Sequence, residues 1–229
     1  MIKSGIDQQA LIDLFATTSA KQTDQLRQGV YQATLGALQG RELSLKNIRS
    51  VLATVAQAAS TGAAKNPLAG VDAESLLDNA VSGMDDALLK AVEANQLALQ
   101  QLVQRGADLR DSQLKKALGD LDKFEDTLFA AVQKSAGAAG NPMAGPWAEV
   151  LAKMAPGATQ TGSQAAAATT QLTGQLAQMQ TALRDTRAAG LKAAQTLADS
   201  YTALVSGVLI GLSDALQQGT AAATGRKKK

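Results

Sequence analysis

A chain of 229 residues with a formal charge of +2, no cysteine and no histidine has no thiol chemistry, no disulfides, no imidazole metal ligands and no imidazole base for neutral pH. Three Phe, two Tyr and one Trp, beside alanine at about a fifth of the residues, exclude a core anchored on aromatics and point to thin, close-packed seams between helices. Four of the 22 basic residues are Arg226, Lys227, Lys228 and Lys229, so a weakly acidic body of 18 basic and 20 acidic residues ends in a basic tail.

Proline occurs only at Pro67, Pro142, Pro146 and Pro156. A period of 3.5 to 3.6 recurs between these positions, without sustained alternation of period two, which predicts an all-α protein: an elongated helical bundle, coiled-coil-like, with helix over more than about three quarters of its ordered residues. The expected organisation is a helical unit over residues 1–66, a second over 67–141, a long C-terminal helical unit over 142–225 and the tail over 226–229.

Met1 to Gln9 carries no apolar h-region and no cleavage pattern, which reads as a cytoplasmic protein rather than a secretory signal. The first helix is predicted from Ser4 or Asp7 to about Leu38, with Gly40 as its stop, although its apolar series thins around Thr17 to Asp24. A second begins near Ser44 and shows Leu45, Ile48, Leu52, Val55 and Ala59 at helical spacing. It runs into the first copy of a duplicated segment, Ser60-Thr-Gly-Ala-Ala-Lys-Asn-Pro-Leu-Ala-Gly70, which recurs 75 residues later as Ser135-Ala-Gly-Ala-Ala-Gly-Asn-Pro-Met-Ala-Gly145. Each copy continues into an Ala-Glu-x-Leu helix start, so the duplicated unit is a helix end, a loop and a helix beginning. The two Asn-Pro loops are expected to superpose.

After the first loop, Leu77, Val81, Met84, Leu88, Ala91, Asn95, Ala98 and Leu102 form a heptad seam in which Asn95 is the polar residue that sets register or partner choice. A break is expected at Gly106 to Asp111, and the next helix carries Leu114, Leu118, Leu121, Leu128 and Val132 with Phe124 and Phe129 beside them. Trp147 opens a short helix after the second loop and reads as a packing residue. Beyond Pro156 and Gly157, Leu172, Leu176, Met179, Leu183, Ala193, Leu197 and Leu204 predict one very long helix to about Leu216, charged only at Arg184, Asp185, Arg187, Lys192, Asp199 and Asp214.

Its last part holds Tyr201, Leu204, Val205, Val208, Leu209, Ile210 and Leu212, an unusually broad apolar surface with a Gly207-x-x-x-Gly211 spacing. That surface suits helix packing or shallow attachment to an anionic or apolar boundary, helped by Arg226 to Lys229. Fourteen uncharged residues from Ser200 to Ser213 fall short of the roughly 20 needed to cross a bilayer, so no transmembrane span is expected. Four basic residues are also a meagre footprint for nucleic acid, which is not expected as a partner.

Neither duplicated loop ends in the Gly-Lys-Ser/Thr of a phosphate cradle, and no strand precedes it; both read as connectors. Asp85-Asp86 and Asp120, Asp122, Glu125 and Asp126 read as solvated, ion-paired faces, since helical di-metal sites typically add a Glu-x-x-His motif. No catalytic residue, metal site or cofactor is expected, and the protein is read as not an enzyme.

Thr34-Leu-Gly-Ala-Leu-Gln-Gly-Arg-Glu-Leu and Thr202-Ala-Leu-Val-Ser-Gly-Val-Leu-Ile-Gly-Leu-Ser-Asp-Ala-Leu resemble an uncharacterised family of bacterial Ala-rich helical proteins, a likeness that covers most of the chain and implies no active site. In composition, length and Lys-rich ending the chain also resembles the phasins, helical proteins that coat polyhydroxyalkanoate granules; this likeness is generic and rests on no specific motif. It implies a surface-coating role on an apolar granule or lipid boundary. The alternative is a self-assembling cytoplasmic scaffold without such a surface. Long seams of Leu, Ala and Gly further predict a homo-oligomer, most simply a two-fold dimer.

Overall fold

The computed structural model describes residues 5–39, 43–68, 70–104, 112–155, 157–184, 205 and 208–210. Among them every regular element is a helix and no strand occurs. The order is α1 (Gln8–Thr17), α2 (Thr23–Gln39), α3 (Leu45–Lys65), α4 (Ala73–Gln104), α5 (Ser112–Leu121), α6 (Phe124–Ala138), α7 (Asn141–Lys153) and α8 (Gln160–Arg184).

The first predicted helix is two. Asp7 starts α1 as foreseen, its carboxylate accepting the Ala10 N–H, but α1 ends at Thr17 and the chain turns through Thr18 to Gln22 before α2. The end is fixed by side chains competing for backbone: the Thr18 hydroxyl donates to Leu14 O, while the Asn66 amide donates to both Phe15 O and Thr18 O at 2.8 and 2.9 Å. Asn66 thus satisfies carbonyls that α1 leaves open. The run expected from Leu114 to Val132 is likewise broken, at Asp122 and Lys123, where the Lys123 N–H turns back onto Asp120 O. The expected break at Gly106 to Asp111 lies outside the described residues.

The duplicated segments do not take the same backbone. The first leaves α3 at Lys65, passes Asn66 to Asp72 with Gly70 at a φ of +82°, and starts α4 at Ala73. Asn66 holds this loop open by bonding α1 on one side and accepting the Leu68 N–H on the other. The second takes a different course. Helix α7 starts at Asn141 itself, with Pro142 in its first turn, where a missing N–H costs nothing, and it runs on through Gly145 and Pro146.

Duplication shows instead in how helices pair. Helix α3 packs on α6, and α4 packs on α8. Gln96 of α4 bonds Gln171 of α8, 75 positions on, and the Asp85 carboxylate accepts the N–H of Gln160, again 75 positions on. Equivalent positions of the two copies therefore face each other, as in a parallel pair of identical helices, within one chain.

One hydrophobic cluster runs from Leu11 to Leu209. Helix α4 is its axis: all eight positions of the predicted seam are buried, and so are Leu76, Ala80, Ala87, Val92, Leu99 and Val103 on its other sides, because α2, α3, α7 and α8 surround it. The alanines let backbones approach closely. At two crossings even a methyl group is too large: a Cβ on Gly62 would stand 2.5 Å from Ile12 O, and one on Gly83 2.6 Å from Arg27 O.

Candidate functional site

The carboxylates read as solvated faces do structural work, and Asp85 is a correction to that reading, being only 8% exposed. From α4 it accepts the N–H groups of Gln160 and Thr161, the first two of α8, at 2.9 and 3.0 Å, while its own carbonyl accepts the Thr161 hydroxyl. Thr159 caps the same helix end through its hydroxyl, which accepts the Gly162 N–H. Glu125 of α6 then holds Thr159, accepting its hydroxyl at 2.6 Å and the Gly157 N–H at 2.9 Å. Acids on two other helices thus satisfy the open donors of α8 and its preceding turn and complement its dipole.

Asp86, next to Asp85, pairs with the Arg27 guanidinium through two parallel contacts of 2.6 and 2.8 Å, which raise the guanidinium further above its ordinary range. Lys116 pairs with Asp120, and Asp122 accepts the Thr169 hydroxyl. No grouping of three or more His, Cys, Asp or Glu among the described residues can hold a metal ion.

Asn95 is buried, and its amide donates to Ala91 O one turn earlier in its own helix. Trp147 is fully buried as a packing residue, and its indole N–H donates to the Ser60 hydroxyl at 2.8 Å, which ties α7 to the first duplicated segment. Beside this contact an open groove of about 470 Å³ lies between the duplicated segments, between Thr61 and Ala64 on one side and Lys134, Ser135 and Met143 on the other. Its lining is small and nearly neutral, without a pair of groups suited to acid and base work.

The apolar C-terminal segment is described at four helical residues. Val205 and Leu209, one turn apart, are buried in the main cluster, Val208 is partly buried against it, and Ile210 is 46% exposed. Of these four, Val205, Val208 and Leu209 pack on the bundle and Ile210 points away from it. Tyr201, Leu204, Leu212 and the tail Arg226 to Lys229 lie outside the described residues, as does the stretch that would join α8 to Val205 in one long helix. No described helix is long and apolar enough to cross a membrane.

Sequence reading missed the Asp85 and Glu125 contacts. Nothing local marks which distant acids will serve Thr159 and the start of α8.

The sequence matches, over residues 1–218, the profile described as "Family of unknown function (DUF6781)". No curated protein and no solved structure matches the chain.

Proposed function

The chain belongs to this family of unknown function, and we propose that it is a non-enzymatic helical protein that coats or attaches to an apolar granule or lipid surface inside the cell, in the manner of the phasins. The C-terminal segment makes the attachment. The observation that carries this reading is the split character of that segment: Leu209 is 1% exposed and Ile210 46%, so a helix already anchored to the bundle presents an apolar side chain outward. In sequence the segment also holds Tyr201, Leu204 and Leu212 and is followed within 20 residues by Arg226 to Lys229. An apolar helix beside clustered cations is the combination that binds an anionic boundary, each cation adding on the order of 1 kcal/mol.

Flotation with vesicles of phosphatidylcholine and phosphatidylglycerol, and with purified polyhydroxyalkanoate granules, tests the reading. The intact chain is expected to float, Ile210→Asp to lose binding with its helicity retained, and deletion of residues 226–229 to weaken binding to the anionic vesicles. Failure of the intact chain to bind either surface overturns the proposal.

The second reading is a self-assembling scaffold. It is the reading that remains when little apolar area is free for coating: among described residues the large exposed hydrophobics are Leu68, Leu97 and Ile210 alone. Light scattering separates the two, because a scaffold remains an oligomer without any surface present.

A further inference from the structure

The two duplicated segments meet across the open groove of about 470 Å³, within the range of about 300 to 1,000 Å³ common to small-ligand sites. Ser60 and Ser135, equivalent in the duplication, both line it. Their hydroxyls are used differently. That of Ser60 donates to Ala56 O at 3.0 Å and accepts the Trp147 indole N–H at 2.8 Å. Ser135 is only 9% exposed, yet its hydroxyl bonds to no group of the described residues, not even the carbonyl one turn earlier that a helical serine can take. A nearly buried donor without a partner in the protein is satisfied by a ligand that accepts from it.

Lys134, the adjacent residue, lines the same groove, and its ammonium has no ion pair among the described residues. Gly140 and Pro142 bring the start of α7 to the groove, where no side chain caps the helix and its dipole adds partial positive charge. Among the described residues no Asp or Glu lines the groove. The remaining walls are mostly small and apolar, with Ala53, Ala64, Ala138 and the buried Met143.

We propose that this groove binds a single-chain alkyl carboxylate, its head on the Ser135 hydroxyl and the Lys134 ammonium and its chain along the alanines. An ionised carboxylate only accepts hydrogen bonds, which matches a hydroxyl donor and an ammonium, and its single charge matches the one cation. An unbranched chain lies in an open groove walled by alanine side chains and buries its methylenes there. The site uses no residue of the C-terminal segment and does not depend on the attachment reading.

Decanoate below its micelle concentration is the probe, titrated into the full chain by calorimetry and by Trp147 fluorescence, since the indole is bonded to a hydroxyl of the groove. Saturable binding of one decanoate per chain is expected. Ser135→Ala should weaken it about tenfold, through loss of one hydrogen bond to a charged group. Lys134→Ala should weaken it about fivefold at low salt and less as salt rises. Decanol, with the same chain and no charge, should bind at least about tenfold more weakly than decanoate. Ala138→Phe fills the groove from an exposed position and should abolish binding with circular dichroism unchanged. Absence of saturable binding by the intact chain overturns the site. So does decanoate binding that survives Ala138→Phe, or that both Ser135→Ala and Lys134→Ala leave unchanged, because either result places the ligand elsewhere.

Discussion

Gly62 and Gly83 make opposite demands from Gly174, although all three sit inside helices. A methyl group on Gly62 would meet Ile12 O and the Phe15 Cβ at 2.5 Å, whereas Gly174 has nothing within 4 Å. Backbone atoms cannot yield as a flexible side-chain tip can, so Gly62→Ala is expected to destabilise the fold by about 1 to 3 kcal/mol through overpacking. Gly174→Ala should instead stabilise it by up to about 1 kcal/mol from helix propensity. Urea titrations followed by the single Trp147 measure both. The same fluorophore reports its own contact: Ser60→Ala leaves the buried indole N–H without the acceptor it has at 2.8 Å, at a cost of about 1 to 3 kcal/mol. Tyr31 supplies a prediction in pH. Burial raises its phenol above the ordinary value of 10.0, so the folded state holds this proton more tightly than the unfolded chain. The stability linked to it is fully present below the unfolded value and is lost as pH rises through the folded one. In a Tyr201→Phe chain the absorbance change on phenolate formation should have its midpoint above 10.

At the scale of elements, sequence located helices better than it located their ends. Asp7 and Ser44 start α1 and α3 as foreseen because an N-cap is chemistry within one turn. The C-terminus of α1 is set by Asn66, some fifty positions away, and no local pattern announces that. The duplicated segments make the same point, since nearly identical residues form a loop in the first copy, where α1 accepts the asparagine, and a helix start in the second. For α8 the expected consequence is measurable. Asp85→Ala removes the acceptor of two backbone N–H groups and should lower stability by about 1 to 3 kcal/mol, with loss of protection concentrated in α8 under hydrogen exchange. Uniform loss along the chain would mean that α8 is an integral part of the cooperative core.

At the scale of the molecule, the apolar seams of α3 and α4 are closed within the chain by the second copy: α4 meets α8 and α3 meets α6. In the scaffold reading, association between chains uses surface outside these seams, and among the described residues of the candidate segment Ile210 is exposed. Leu209 and Ile210 should therefore separate. Leu209→Asp puts a charge at a site 1% exposed and is expected to cost roughly 3 kcal/mol or more; Ile210→Asp should stay within about 0.5 kcal/mol of the parent while losing surface attachment. Thermal unfolding and flotation of the same two variants check this. By itself the sequence determined the all-helical class, the eight buried positions of the α4 seam, the packing role of Trp147 and the duplication, because each follows from periodicity, size or identity along the chain. Only the tertiary structure decided that one copy serves as the other's partner, that Asp85 is a buried cap rather than a solvated charge, and that Leu209 faces inward while Ile210 faces out. A helix repeats its own pattern every turn, but which groups meet across the bundle depends on backbones far apart in sequence being brought to one place.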